Sequence, residues 1–276
     1  MASGDPDLEC VIICRMAATE RPQERPDYGI DAPGVVRNLF LFGIAGFSAW
    51  AAVTLAALSG RFDVPKPVLV ITGMGFTTGI GCSLMAVGML WHSRVGKLRS
   101  RERLLDLIAW SGDEQVLDIG CGRGLLLNGA AKRLNTGQAT GIDVWQAEDL
   151  TGNGPEAALE NARRERVAER VVVQTADMRK LPFVDDTFDV VVSKAAIHNL
   201  YRVEDRDEAI REIARVMKPG AHALIEDIRH HRQYFLIFSQ NGCTDIRRVG
   251  SLPLYVFLML ITFGSLRPAT LVVRKG

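Results

Sequence analysis

The chain has 276 residues, enough for one large domain or for one domain with an appended segment. Its formal net charge is +1, so it has no overall basic excess to neutralise nucleic-acid phosphates, and we expect no nucleic-acid partner. The five cysteines are scattered, which argues against a zinc site and a secreted disulfide scaffold and indicates a reducing compartment for the main domain.

The first segment, residues 1–34, is polar and contains four prolines. Proline and polar residues in this density predict mostly irregular structure. Residues 28–33 are the part that could be ordered, but we interpret them as a plain linker. The segment is therefore predicted to be separate from the folded part of the chain.

Two uncharged apolar runs follow, at residues 39–58 and 68–91. About 20 apolar residues in a helix cross the ~30 Å hydrocarbon core of a bilayer. The alternative is a pair of buried helices in a soluble core, but such helices normally keep a polar face. Gly75-x-x-x-Gly79 and Ala45-x-x-x-Ala49 place small residues at a spacing that lets membrane helices approach closely. The pattern predicts a transmembrane hairpin over residues 35–92.

The charges that flank the two runs predict the orientation of the hairpin. Residues 92–103 contain five Lys or Arg, whereas the loop between the runs offers Arg61 and Lys66, offset in part by Asp63. By the positive-inside rule both termini are cytoplasmic. We interpret the basic segment as a contact with anionic lipid head groups.

A glycine-rich stretch begins the next part of the chain, where short apolar runs alternate with helical patterns. Residues 116–119 are predicted as a buried strand, and glycines at alternate positions separate it from a helix that opens at Leu125. Glycines at such a turn permit positive φ and let a ligand approach the backbone. A dinucleotide fingerprint needs a third glycine where Leu125 stands, so a different nucleotide-like ligand is indicated.

Further strands are predicted at residues 139–144, from residue 171 to Asp177, at 188–193, at 223–228 and at 270–274. Pro155 is expected to open a helix, and a helix with apolar spacing up to Met217 is expected to end at Lys218-Pro219-Gly220. Short buried strands between helices predict a parallel sheet with helices on both faces. Ligands bind beyond the carboxyl ends of such strands, and Asp143 and Asp177 are predicted there.

The stretch Asp118-x-Gly120-x-Gly122-x-Gly124 resembles the first motif of class I S-adenosylmethionine-dependent methyltransferases, particularly the small-molecule enzymes of ubiquinone and menaquinone biosynthesis. The resemblance extends through residues 181–183, 188–193 and 215–220, and so covers most of residues 100–230. It implies an α/β fold over residues 93–276, a doubly wound Rossmann-like sheet preceded by the two transmembrane helices.

The same resemblance implies S-adenosylmethionine as the cofactor. It assigns the glycine turn to the methionyl part, Asp143 to the ribose and Asp177 to the adenine. The predicted cofactor-binding residues are Asp118, Gly120, Gly122, Gly124, Asp143, Val144, Asp177, Met178 and Ser193.

The acceptor pocket is implied at residues 193–200, where the family places it. His198 is the candidate catalytic base because imidazole titrates near neutral pH, although a structural histidine is equally compatible. Lys194 stands where we expect a small residue, and it is compatible with recognition of an anionic acceptor or with simple solvation. His230 and His231 have no third ligand in view, so no metal site is predicted.

The sequence thus predicts a membrane-anchored methyltransferase that modifies O, N or C of a small lipophilic molecule or lipid. The alternatives are a nicotinamide-dependent oxidoreductase and a non-catalytic membrane scaffold with the same fold. The apolar run 252–264 exceeds what the family needs, and we expect it either to line the acceptor pocket at the membrane surface or to belong to the core. The oligomeric state is not predicted.

Overall fold

The computed structural model describes residues 25–146, 148, 150–250 and 267–276. The described α-helices are α1 (Pro33–Leu58), α2 (Lys66–Trp91), α3 (Lys97–Leu105), α4 (Leu125–Ala131), α5 (Pro155–Arg164), α6 (Val203–Val216) and α7 (His231–Gln240). The described strands are β1 (Gln115–Ile119), β2 (Gln138–Asp143), β3 (Val171–Thr175), β4 (Phe188–Lys194), β5 (Met217–Asp227), β6 (Cys243–Val249) and β7 (Ala269–Lys275). The predicted apolar run 252–264 lies outside the described residues.

Helices α1 and α2 pack against each other through their glycines. A Cβ atom on Gly46 would lie 2.4 Å from the carbonyl oxygen of Gly75, and one on Gly79 would lie 3.1 Å from that of Gly43. The backbones can therefore approach only because these residues lack side chains. The predicted Gly75-x-x-x-Gly79 pair lies in this interface. The predicted pair Ala45 and Ala49 does not, because both alanines face outward and Gly43 and Gly46 take their place.

The outer surface of the helix pair is apolar and exposed. Phe42, Ile71 and Met74 are 68, 66 and 64% exposed. Both helices are long and apolar enough to cross a membrane, judged by length and composition. The described residues leave this surface uncovered, whereas two helices of a soluble core would be mostly buried.

The seven strands form one sheet in the order β3-β2-β1-β4-β5-β7-β6. Neighbouring strands from β3 to β5 are parallel, and β7 runs antiparallel to both β5 and β6. The chain moves outward from β1 to β3 and then returns to place β4 on the other side of β1. The strand order therefore reverses between β1 and β4, which makes the carboxyl ends of these strands the expected ligand edge.

Helices cover both faces of the sheet, as predicted. One core cluster packs α6 and α7 on the sheet, with Ile213 and Phe238 fully buried. The other packs α3, α4 and α5 on the opposite face, with Leu105 and Leu127 fully buried. The sequence pattern thus predicts the layered α/β architecture correctly.

Some boundaries differ from the prediction. Helix α6 ends at Val216, and Met217 already pairs with Phe188, so Lys218-Pro219-Gly220 lies inside β5 rather than ending a helix. Strand β3 ends at Thr175, two residues before Asp177. Helix α7 and strand β6 have no counterpart in the prediction.

Residues 28–33 are not the plain linker that we expected. Tyr28 is only 6% exposed, and its hydroxyl donates a hydrogen bond to Glu165 at 2.7 Å. Two residues of the predicted basic segment are buried for the same reason, since Lys97 pairs with Asp31 and Arg101 with Glu165. The prediction failed because these partners are far apart in the sequence.

Candidate functional site

The turn after β1 brings bare backbone to the carboxyl edge of the sheet. Gly120, Gly122 and Gly124 have φ values of 69°, 52° and 81°, a region that favours glycine. A Cβ atom on Gly120 would lie 2.3 Å from that of Ala196, so a larger residue cannot replace it without movement. The amide groups of Gly120 and Cys121 donate to the carbonyl of Ile142, which fixes the turn to β2.

Asp143, the last residue of β2, is held against this turn. Its Oδ2 accepts a hydrogen bond from the Gly122 amide at 2.8 Å, and its Oδ1 accepts one from the Trp145 amide at 2.7 Å. Each carboxylate oxygen has a further lone pair. Asp143 is therefore oriented before any ligand arrives and can still accept ligand hydroxyl groups.

A cavity of about 290 Å³ opens beyond these strand ends, near the lower limit of ~300–1,000 Å³ typical of small-molecule sites. Its lining residues are Asp31, Gly120, Gly122, Ile142, Asp143, Val144, Gln146, Leu150, Asn153, Ala176, Asp177, Met178, Arg179, Lys194, Ala195, Ala196, Asn199 and Leu200. Six predicted cofactor-binding residues meet here: Gly120, Gly122, Asp143, Val144, Asp177 and Met178.

Asp177 lies in the cavity wall with its carboxylate already paired. Arg179 donates to both of its oxygens, from Nε at 3.0 Å and from Nη2 at 2.6 Å. The hydrogen bonds from Arg179 lower the pKa of Asp177. A ligand amine that bound Asp177 would have to share it with this guanidinium group. The sequence did not indicate the pairing of Asp177 with Arg179.

The other three predicted cofactor-binding residues support the turn from behind and do not line the cavity. Asp118 is 1% exposed and accepts the Leu127 amide at 2.8 Å. Burial raises the pKa of Asp118 to about 8. Gly124 precedes α4 in a left-handed conformation, and the buried Ser193 donates to the carbonyl of Ile119 at 2.9 Å.

His198 faces a buried carboxylate and is not among the residues that line the cavity. Its Nδ1 lies 2.6 Å from Oδ1 of Asp227, although off the line of a good hydrogen bond, and its amide donates to Oδ2 at 3.0 Å. Asp227 is 2% exposed and also accepts the Tyr234 hydroxyl at 3.1 Å. His198 keeps 17% of its side chain exposed, so the pair is a histidine oriented by a carboxylate.

Lys194 at the end of β4 lines the cavity and is neither solvated nor unpaired. Its ammonium group donates to the Ser100 hydroxyl at 2.9 Å and pairs with Glu226. Neither interpretation drawn from the sequence included the ion pair with Glu226 of β5 or the hydrogen bond to Ser100, which links the cavity wall to α3.

The sequence also missed Asp31, Leu150, Asn153 and Asp227. Asp227 had a usable signal, since it is an acidic residue at the end of a predicted strand. Asp31 had none, because a distant lysine decides its position.

Comparison with known proteins now gives the family of the central segment. Residues 117–225 match a family model described as a methyltransferase domain. This part of the chain is therefore similar to methyltransferase domains, and the α/β part that contains it is called the methyltransferase domain below. The matched residues include the glycine turn, Asp143, Asp177 and His198, and the match supports the predicted family for that segment.

Two curated relatives agree with this family. The methyltransferase domain is 35% identical over 130 residues to methyltransferase GfsG of Streptomyces halstedii, covering 47% of this chain and 43% of the relative. It is 34% identical over 122 residues to demethylmenaquinone methyltransferase of Lactiplantibacillus plantarum, covering 44% and 48%. The chain thus spans about half the length of these relatives or less.

A solved structure shares the fold. The geranyl diphosphate C-methyltransferase of Streptomyces coelicolor A3(2), crystallised with Mg²⁺, geranyl diphosphate and S-adenosyl-L-homocysteine, superposes with a TM-score of 0.51. It is 16% identical, and the match covers 64% of this chain and 79% of that one. At this identity the likeness shows the fold of the methyltransferase domain.

Proposed function

We propose that the chain is an S-adenosylmethionine-dependent methyltransferase anchored to a membrane, with a small lipophilic acceptor. The observation that carries the proposal is the hydrogen bond from the glycine turn to Asp143 at the wall of the cavity, within the matched domain. Bare backbone and an oriented carboxylate suit the methionyl group and the ribose hydroxyls of this cofactor. Leu125, in place of a third glycine, argues against a nicotinamide cofactor.

Different residues of the cavity would contact different parts of the cofactor. Gly120 and Gly122 allow close approach of its methionyl part, and Asp143 accepts from the ribose. Val144 and Met178 offer apolar contacts on the adenine side. S-adenosylmethionine supplies a methyl group on a sulfonium, and in-line transfer of it depends mainly on alignment with the acceptor.

The His198–Asp227 pair would remove a proton from an acceptor that carries one. The buried carboxylate of Asp227 lies 2.6 Å from Nδ1 of His198 and orients the imidazole. The pair lies where β4 and β5 end, beside Asn199 and Leu200 of the cavity wall. This position supports the implied acceptor side of the pocket.

The helix pair α1 and α2 would anchor the domain in a bilayer with both termini cytoplasmic. Leaving an apolar side chain fully exposed to water costs about 1.5–3 kcal/mol of free energy relative to burying it. The apolar surface of the hairpin would therefore be stabilised by contact with lipid. Of the basic residues after α2, Arg94, Arg99 and Arg103 are exposed and would contact anionic lipid head groups. The run 252–264 remains proposed as the acceptor entrance.

Transfer of labelled methyl groups tests the function. The full chain in lipid nanodiscs, given methyl-labelled S-adenosylmethionine and a membrane extract of its source organism, is expected to transfer label into an organic-phase product. Asp143→Ala serves as the inactive control. Label that stays in S-adenosylmethionine while cofactor binding is intact would favour the non-catalytic scaffold.

A further inference from the structure

Residues 27–31, here called the strap, form an ordered segment that lies across the methyltransferase domain. On one side the Asp27 amide donates to Asn161 at 2.9 Å, and the Asn161 amide returns a bond to the Asp27 carbonyl at 2.7 Å. On the other side the Ile30 amide donates to the Thr151 hydroxyl at 2.8 Å. The strap therefore joins α5 to the loop beside the cavity.

Lys97 holds the strap from the base of the hairpin. Its ammonium group lies 2.7 Å from the Tyr28 carbonyl, 3.0 Å from that of Gly29 and 2.8 Å from Oδ1 of Asp31. These contacts use all three of its N–H donors. Lys97 is 5% exposed, and burial lowers its pKa while Asp31 opposes that change. A buried lysine so occupied fixes the path of the strap and the place of Asp31.

Asp31 is the point at which the strap reaches the cavity. It lines the cavity together with Gly120 and Gly122. It also forms a β-bridge with Leu150, whose Cδ2 atom would lie 3.0 Å from a Cβ on Gly122. Asp31 is therefore on the glycine-turn side of the cavity, where the proposed function puts the methionyl group.

The three acidic residues of the cavity wall differ in what they can still bind. Both oxygens of Asp177 are already paired with Arg179, and Asp143 is held by two backbone amides on the ribose side. Asp31 has Lys97 at one oxygen and keeps half of its side chain exposed. It is the acid with capacity for a cationic group beside the glycine turn.

We propose that Asp31 binds the α-ammonium group of S-adenosylmethionine and that Lys97 positions it through the strap. This inference rests on the proposed cofactor. It makes a segment outside the matched methyltransferase domain part of the cofactor site. Because the strap runs directly into α1, it also ties the membrane hairpin to the cofactor.

Two ligands separate the ammonium contact from a general effect on the pocket. S-adenosylhomocysteine carries the ammonium group, whereas 5′-methylthioadenosine has the same adenosine and thioether without it. Calorimetry on the full chain is expected to show that Asp31→Asn lowers the affinity for S-adenosylhomocysteine by about 10- to 100-fold, the range for one charge-assisted hydrogen bond. Binding of 5′-methylthioadenosine should change less than about 2-fold, which also demonstrates that the variant is folded.

Asp27→Asn is the matched control, since Asp27 lies on the same strap, pairs with Arg123 and is absent from the cavity wall. The ratio of the affinities for S-adenosylhomocysteine and 5′-methylthioadenosine in Asp27→Asn should equal the ratio in the parent chain. A parent-like ratio in Asp31→Asn, including equal weakening of both ligands, overturns the inference and leaves the cofactor assignment standing. A parent chain that binds neither ligand overturns the proposed function itself.

Discussion

At the scale of single residues, the predicted candidates separate into those that touch the cavity and those that support it. Asp143 and Met178 could be placed from the sequence, because a strand end followed by a turn fixes which edge they occupy. Asp118 on β1 and Ser193 on β4 also stand near strand ends, but their side chains point into the interior. Motif position alone does not distinguish these two cases.

His198 can be tested by truncation. His198→Ala is expected to lower kcat by about 10²- to 10⁴-fold on an acceptor with a proton to lose, the usual contribution of a general base. Binding of S-adenosylhomocysteine should stay at the parent value, because His198 does not line the cavity. Steady-state kinetics together with calorimetry measure both.

The matched control for His198 is His222→Ala, because His222 is a partly buried histidine on β5 that does not line the cavity. Near-parent turnover of His198→Ala would assign His198 a structural role beside Asp227.

At the scale of secondary structure elements, the sequence predicts well where local signals agree. Pro155 opens α5 and Leu125 opens α4 as expected. Met217 was predicted in a helix because it continues the helical spacing of α6. It is instead the first residue of β5, because it pairs with Phe188 of β4. The strap was missed because its order depends on Lys97, 66 residues beyond Asp31 in the chain.

The glycine contact between α1 and α2 has a built-in control. Gly46→Ala would put a Cβ 2.4 Å from the Gly75 carbonyl oxygen and should separate the helices. Gly73→Ala meets nothing within 4 Å, and alanine has a helix propensity about 1 kcal/mol better than glycine, so it should be neutral or stabilising.

Thermal unfolding of both variants in detergent micelles measures this difference. The packing account requires a lower Tm for Gly46→Ala and an equal or higher Tm for Gly73→Ala. Equal Tm values would mean that the helices do not depend on this contact.

At the scale of the whole molecule, the strap and the α2–α3 junction join the apolar hairpin to the methyltransferase domain. The hydroxyl of Ser93, just after α2, accepts the Asp31 amide at 3.3 Å, and Lys194 reaches Ser100 of α3. The cavity therefore lies at the base of the hairpin. A lipophilic acceptor that left a bilayer would have a short path to it.

The proposed topology can be tested by cysteine labelling in intact cells with a membrane-impermeant reagent. A cysteine at Asp63, between the two helices, is expected to be labelled from outside. A cysteine at Val184, which is 77% exposed on the domain, should be labelled only after permeabilisation. Cys243 is a poor reporter because it is 4% exposed. The reverse pattern would reject cytoplasmic termini.

Binding of S-adenosylhomocysteine to Asp143→Ala tests the central claim most directly. Loss of two hydrogen bonds to a charged acceptor, at roughly 1.5–3 kcal/mol each, predicts an affinity at least about 100-fold below the parent. Asp185→Ala, a change of the same type at an exposed residue outside the cavity, should bind like the parent. A folded Asp143→Ala chain with parent affinity would contradict the assignment of this cavity to the cofactor.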